Sequence, residues 1–242
     1  MANGPTLEVS APTRAPREGG LFAAVEARPN DRLAHIEAVV FTGDPNVLPS
    51  AEESRCLATA PVADKTFGGV SADEGIGAPF TLYAGVVCFA APEPDEVDKA
   101  RGVLEGGRER VLEQRLATWA AGGTGLAAGA NARAAVGRVE QAIDAGYVGR
   151  GIILMSRFDA VSAGLEYVEG ELPRTVNGTP VVASGVIAEG TVYGVGAVVV
   201  EHGDIVERDV LAHLQNRHYA LAEQVHALLV DAEFRVRASI TA

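Results

Sequence analysis

The residues with most potential for chemistry are five histidines, two cysteines and two lysines. His213 and His218 are five positions apart and His226 follows eight positions later, a spacing that fits no zinc site. We interpret these histidines as surface or interface residues. Cys56 and Cys88 are too few for a disulfide framework and lack metal-ligand spacing, so we expect buried thiols.

Other reactive combinations are equally weak. Cys88 lies in an apolar segment, where a thiol stays protonated and inert. Lys65 could form an isopeptide bond with an asparagine of a neighbouring chain, although no spacing requires it, and Glu52 and Glu53 read as solvated charge. The sequence contains no Gly-x-Ser-x-Gly elbow, no phosphate-binding loop and no His-Glu-x-x-His motif. It therefore predicts no catalytic, cofactor-binding or metal-binding residue, and no enzyme.

The composition argues against several classes of protein. The 242 residues are 48% hydrophobic but only 5% aromatic, which predicts a core of Ala, Val and Leu. Twenty basic and 32 acidic residues give a net charge of −12, which repels phosphate backbones and argues against a nucleic-acid reader. No apolar run is long enough to cross a membrane, and the N-terminus lacks the apolar segment of a secretory signal. We expect synthesis in a cytoplasm.

The longest helix signal runs from Glu93 to Gly123 and predicts a helix over 95–121, about 39 Å long. Its apolar stripe is predicted to comprise Val97, Ala100, Leu104, Val111, Leu112, Leu116 and Trp119. A second set has i, i+4 spacing and is predicted to form exposed ion pairs: Glu105, Arg108, Glu109 and Glu113. Gly106-Gly107 predicts a bend or the close approach of another backbone.

The segments before this helix are extended. Residues 1–20 are rich in Pro, Ala and Arg and predict an extended arm. Alternation predicts a strand over 35–41, and the turn formers of 43–79 predict a long projecting hairpin. Phe80–Ala90 is apolar at nearly every position and predicts a strand that is buried on both faces.

A compact α/β unit is predicted from about residue 129 to 204. Asn131 is expected to cap a helix that ends at Gly146, and its core face comprises Ala132, Ala135, Val136, Val139 and Ile143. A core strand over 151–155 follows. Ser156 and Asp159 form a capping box, and the helix after it is expected to point Phe158, Val161 and Leu165 inward. Asn177-Gly178 predicts a hairpin turn, and 192–200 a strand.

The C-terminal segment is ambiguous. Residues 211–229 have the apolar spacing of a helix, and 234–240 alternate as a terminal strand.

Five stretches resemble a known family: GGLFAAV (19–25), SRCLATAPVADKTF (54–67), FTLYAGVVCFA (80–90), LPRTVNGTPVVASG (172–185) and LQNRHYALAEQVHALLV (214–230). Their order and content resemble the short major capsid proteins of tailed bacteriophages, which have the Hong Kong 97-like fold.

That resemblance implies an α+β fold with an N-terminal arm (1–20), an extended β-hairpin E-loop (44–79) and a spine helix (95–121). It also implies an axial domain (129–204) and a peripheral domain in three parts (21–43, 80–128 and 205–242). The family has a strand near 219–230, which conflicts with the helical spacing. A helix before Ala222 and a strand after it is the compromise expectation.

The function that the resemblance implies is self-assembly of pentamers and hexamers into an icosahedral shell around a DNA genome. The chain would enclose DNA without sequence-specific binding, in a virion made in a host bacterial cytoplasm. Partners would include portal or decoration proteins, and a separate scaffold or none. Three alternatives remain: an encapsulin-like compartment shell, a small α/β enzyme with an unrecognised site, and a minor virion protein that decorates another shell.

Overall fold

A computed structural model of the chain describes residues 19–43, 45–48, 74–89, 95–167 and 171–241. Its α-helices are α1 (Leu21–Ala24), α2 (Glu96–Ala120), α3 (Ala132–Gly146) and α4 (Arg157–Ala163). Strands of the first half are β1 (Glu26–Pro29), β2 (Val39–Thr42), β3 (Glu74–Gly77), β4 (Phe80–Phe89), β5 (Thr124–Gly125) and β6 (Ile152–Ser156). Those of the second half are β7 (Val181–Ser184), β8 (Thr191–Val195), β9 (Val198–His202), β10 (Val206–Ala212), β11 (Arg217–Val230) and β12 (Arg235–Ser239).

The first sheet is built around β11, the longest strand. Along one side β11 pairs antiparallel with β10 and then β9, and along the other side it pairs antiparallel with β4. β1 extends the sheet beyond β9. Helix α2 packs across one face of β4 and β11, and their apolar side chains form the larger of the two cores.

The prediction of a long helix is confirmed by α2, whose bounds lie within one residue of 95–121. Most of its predicted stripe is correct, since Ala100, Leu104, Leu112 and Leu116 are buried. Val111 is an error in that stripe, because its side chain is exposed. The helix continues without interruption through Gly106-Gly107, and outside the helix's own adjacent backbone no described atom lies within 4 Å of a Cβ added at either position.

The prediction of a helix over 211–229 is wrong, and so is the compromise that kept a helix before Ala222. The segment forms the end of β10, a single 3₁₀ turn (His213–Gln215) and β11. Burial along β11 alternates with the period of two that is typical of a strand, although its apolar residues also fit helical spacing. The buried side chains at alternate positions are His218, Ala220, Ala222, Gln224 and His226. Pairing with strands on both sides outweighs local helix spacing, because a central strand satisfies its backbone groups on both edges.

The prediction that Phe80–Ala90 is buried on both faces is also wrong. The segment is strand β4, but only the side chains that face α2 are covered. Tyr83, Val87 and Phe89 point away from α2 and are exposed. The apolar composition therefore marks a strand with one open face rather than a buried strand.

The second sheet has the order β5-β12-β8-β6-β7 and packs against α3 and α4. The Asn131 cap is confirmed, since its side chain accepts a hydrogen bond from the Ala134 amide at 2.9 Å. The Ser156 cap is confirmed as well, because the Asp159 amide donates to Ser156 Oγ at 3.0 Å. The Asp159 carboxylate accepts from the Ser156 hydroxyl at 2.8 Å, which is not the bond to the Ser156 amide that a capping box contains. Gly178 takes φ +86° in the predicted turn, a value that favours glycine.

Three smaller predictions are wrong. Phe158 and Val161 point into solvent, because the seven-residue α4 buries Asp159 and Ala163 instead. The strand expected over 35–41 begins only at Val39, after a 3₁₀ turn at Leu33–His35. The strand expected over 192–200 is two strands, β8 and β9, which belong to different sheets.

Two segments cross the predicted domain boundaries. β9 lies within 129–204 but pairs in the first sheet, and β12 lies within 205–242 but pairs in the second sheet. The division into arm, E-loop, peripheral and axial domains stays a prediction.

Candidate assembly surfaces

Of the residues singled out for chemistry, the structure describes His213, His218, His226 and Cys88. Cys56, Lys65 and the Glu52-Glu53 pair fall outside the described residues. Cys88 is half-buried on the α2 side of β4, opposite His218 in the strand register, so the expectation of a fully buried thiol is not met. Within the described ranges, no group of three or more His, Cys, Asp or Glu side chains could hold a metal ion.

His218 is buried beneath the first turn of α2, so its interpretation as a surface or interface residue is wrong. Its Nδ1 pairs with the buried carboxylate of Glu96, and its Nε2 lies 3.2 Å from Asp209 Oδ2. The hydrogen bond to Glu96, reinforced by Asp209, raises the pKa of His218 above its usual value. The arrangement attaches the start of α2 to β10 and β11 and leaves no ring nitrogen for catalysis.

His226 lies eight residues further along β11 and is fully buried, so it is not a surface residue either. Neither ring nitrogen has a hydrogen-bond partner within the described part of the chain. Phe80 and His202 flank the ring, with centroids 6.2 and 6.3 Å away. Burial lowers the pKa of His226 to about 4, and the proximity of His202 and Arg108 lowers it further. The imidazole is therefore neutral at pH 7.

The side chains of Glu109 and Glu113 hold the start of α1 against α2. Glu113 is fully buried and accepts hydrogen bonds from the Leu21 amide at 3.1 Å and from Ser184 Oγ at 2.5 Å. Glu109 accepts from the Phe22 amide at 2.8 Å. These carboxylates satisfy two amides that a helix start leaves without intrahelical partners. The prediction that Glu113 belongs to an exposed ion pair is therefore wrong, because its side chain is fully buried.

The signal for a buried Glu113 was present in the sequence. It lies four residues before Ala117, within the stripe that buries Leu112 and Leu116. Its partners could not be predicted, because they lie 92 and 71 positions away in the sequence.

Tyr147 joins the end of α3 to the junction between the two sheets. Its hydroxyl donates to Asp231 Oδ2 at 2.6 Å and accepts from the Ala197 amide at 3.0 Å. Burial and the Asp231 hydrogen bond raise the pKa of Tyr147 to about 12. Nearby, the Asn46 side chain donates to the Gly146 carbonyl and accepts from the Val148 amide, so residues 45–48 are held against α3.

A cavity of about 1060 Å³ lies between α3 and the 174–180 turn. Several of its polar groups bind one another. Glu140 accepts hydrogen bonds from Thr175 Oγ1 at 2.6 Å and from Asn177 Nδ2 at 3.1 Å. Arg150 donates to the Gly178 carbonyl at 2.9 Å. The bonds to Glu140 hold the turn against α3.

A different feature is prominent on the first sheet, whose face opposite α2 carries large exposed apolar side chains on β4. We call it the outer face: the side chains of Tyr83, Val87 and Phe89. Tyr83 and Phe89 are 74% and 70% exposed, and Val87 is 46% exposed. Beyond β4 the same side of the sheet is charged, since Arg208 pairs with Glu223 at 3.0 Å. Exposed apolar side chains grouped as on β4 usually mark a site of protein association. The described helices include none that is long and apolar enough to cross a membrane.

No protein-family model matches the sequence, and no curated protein matches it. Solved structures of capsids do match the fold. The capsid chain of a native GTA particle is 12% identical, with a TM-score of 0.62 over 99% of this chain and 95% of that one. The capsid of Ralstonia phage GP4 is 11% identical, with a TM-score of 0.59 over 98% and 95%.

The mature capsid of bacteriophage PhiM1 is 9% identical, with a TM-score of 0.54 over 99% of this chain and 92% of that one. Each match covers nearly the whole of both chains, so the likeness extends over the complete architecture and not over one sheet. The α+β prediction is confirmed: the chain has the Hong Kong 97-like fold of tailed-bacteriophage capsid proteins.

Proposed function

We propose that this chain is the major capsid protein of a tailed bacteriophage and self-assembles into an icosahedral shell around a DNA genome. The observation that carries the proposal is the match of fold over nearly the full length of several capsid chains. Pentamers and hexamers of the chain build the shell, and the protein resides in the virion after synthesis in the host bacterial cytoplasm.

The surface of the single chain supports this proposal. The outer face leaves large apolar side chains in solvent, which is unfavourable for a chain that works alone. A shell covers such surfaces with neighbouring copies. In this proposal the arm (1–20) and the E-loop (44–79) lie over adjacent subunits, while the axial domain lies around the five-fold and six-fold axes.

The charge also fits a container. A net charge of −12 gives the chain little general affinity for phosphate backbones, so the shell would enclose DNA without gripping it. Scaffold, portal or decoration proteins are further partners under this proposal.

An enzyme is the less favoured function, because the candidate groups have structural roles. His218 pairs with two carboxylates, Glu113 binds α1, and Glu140 in the cavity beside α3 binds the 174–180 turn. The proposal accordingly includes no catalytic activity.

Imaging of the purified chain by negative-stain electron microscopy tests the proposal. We expect closed particles of uniform diameter. Open sheets, or a population of single chains at every concentration and salt condition, would contradict it. A co-expressed scaffold gene, if the phage has one, should be included in a parallel sample so that a missing assembly factor is not mistaken for a failed assembly.

A further inference from the structure

Strand β4 forms a long free edge of the first sheet. It pairs with β11 over its whole length, from Phe80 opposite His226 to Phe89 opposite Arg217. No other strand among the described residues pairs with it. In a ten-residue antiparallel strand, roughly half of the residues direct their backbone N–H and C=O groups away from the existing partner. These groups form a template for another strand.

The other free edges of the two five-stranded sheets are protected, whereas β4 is not. β1 contains Glu26, Arg28 and Pro29, and β10 contains three consecutive charged residues, Glu207 to Asp209. β5 has two residues, and β7 is largely buried next to α1. Charges, proline and short length are the features that prevent a sheet edge from pairing. β4 reads FTLYAGVVCF, with no charge and no proline.

We propose that the free edge of β4 binds an extended segment of a second copy of this chain, which adds to the first sheet as a further strand. The inference rests on the proposed shell function and specifies one contact within it. Backbone hydrogen bonds to the edge supply the attachment. Tyr83, Val87 and Phe89 stand at alternate positions on the outer face and pack beside alternate side chains of the added strand.

Charge favours a second copy as the partner. Each chain carries a net charge of −12, so identical copies repel one another and their contacts need surface without charge. Among the free edges that the described residues form in the first sheet, only β4 meets this requirement, since β1 and β10 carry charged residues.

Hydrogen exchange with assembled particles tests the proposal. We expect about half of the amides of residues 80–89 to exchange more slowly in the particle than in the unassembled chain, because their new partners protect them. The amides on the free edge of β10 should change little. Unchanged β4 exchange in well-formed particles would overturn the strand addition while leaving the proposed function intact. A chain that forms no particles would instead contradict the proposed function.

Slow exchange of the amides on both edges of β4 in the dilute, unassembled chain would also overturn the proposal, because the strand that covers β4 would then belong to the same chain. Cross-linking between isotopically light and heavy copies in mixed particles gives a second readout. We expect light–heavy cross-links that include residues of β4, and cross-links confined to one isotope would count against a second copy.

Two matched variants compare the β4 edge with the opposite edge of the sheet, where the exposed Val210 lies outside the outer face. Val87, Tyr219 and Val210 form one row across the sheet, with Val87 on β4 and Val210 on β10. Val87→Lys places a charge at the proposed edge, and we expect the concentration needed for assembly to rise about tenfold. Val210→Lys places the same charge on the same face at the opposite edge and should change this concentration less than about threefold. The proposal would be overturned if both variants raised the concentration needed for assembly equally, or if both folded and neither changed it.

Discussion

Glu113 and Leu21 are 92 positions apart in the sequence, yet the Glu113 carboxylate accepts a hydrogen bond from the Leu21 amide at 3.1 Å inside the core. The same carboxylate accepts from Ser184 on β7, so one side chain connects α1, α2 and the second sheet. Because the group is fully buried, its removal leaves polar partners without compensation from water.

Replacement of Glu113 should therefore lower the stability of the chain. Glu113→Leu removes the acceptor for both Leu21 and Ser184, and we expect the free energy of unfolding to fall by about 2–4 kcal/mol. Glu113→Gln keeps one acceptor oxygen and should cost less. Denaturant unfolding of the unassembled chain measures both. Glu105→Leu on the exposed side of α2 is the control and should change stability by less than about 0.5 kcal/mol; an equal loss for Glu105→Leu and Glu113→Leu would refute the anchoring role.

His218 should make stability depend on pH on the alkaline side. Glu96 and Asp209 raise the pKa of His218 in the folded chain, so folding favours the protonated ring. The stabilisation that protonated His218 gives is complete below pH 6.5, about the pKa of histidine in the unfolded chain. It is lost as the pH rises through the higher pKa of His218 in the folded chain. His218→Gln should remove this fall in stability. The measurement is the unfolding free energy between pH 6 and pH 9, with the exposed His213→Gln as a control that should follow the parent chain.

His226 should make stability depend on pH on the acid side. Its pKa is lowered to about 4 from 6.5, so the unfolded chain binds a proton that the folded chain rejects as the pH falls between these values. The gap corresponds to a loss of about 3 kcal/mol by pH 4. His226→Leu should reduce the loss between pH 6.5 and pH 4, which thermal or denaturant unfolding at several pH values can measure. An unchanged acid dependence in a folded His226→Leu chain would show that the ring does not carry this effect.

Two glycines should respond to alanine in opposite ways. A Cβ at Gly20 would lie 2.2 Å from the Glu109 carboxylate, so Gly20→Ala must displace the side chain that binds the Phe22 amide. We expect a loss of about 1–3 kcal/mol. Gly106 lies inside α2 with nothing within 4 Å, and Gly106→Ala should stabilise the unassembled chain by about 1 kcal/mol.

The Gly106 variant also tests whether another subunit approaches that position. If Gly106→Ala stabilises the chain but blocks particle formation, the glycine is required for a close contact between copies. Stabilisation with normal assembly would mean that Gly106-Gly107 has no such role.

The elements that local signals specify could be predicted from the sequence. Helix α2 has charged first-turn residues and a coherent apolar stripe, and α3 and α4 begin at caps whose hydrogen bonds reach only three residues. β11 could not be predicted in the same way, because its leucines happen to recur near the helical period. Its strand conformation depends on β4, which lies more than 100 positions earlier.

The same reasoning explains the errors at the candidate sites. His218 and His226 were expected at the surface or an interface, but alternation along β11 directs both into the buried side of the sheet. Conversely, the uncharged composition of β4 suggested complete burial, whereas one face is exposed in the single chain. The apolar composition of a segment does not by itself distinguish a strand buried on both faces from a strand with one exposed face.

Sedimentation velocity of the purified 25.0 kDa chain is the most direct test of the central claim, because it separates single chains from closed shells without adsorption to a grid. We predict a narrow, fast boundary of uniform particles above a threshold concentration, in equilibrium with slow material below it. A single slow boundary at 25.0 kDa across concentration, salt and added scaffold would contradict the assignment of this fold to a self-assembling shell.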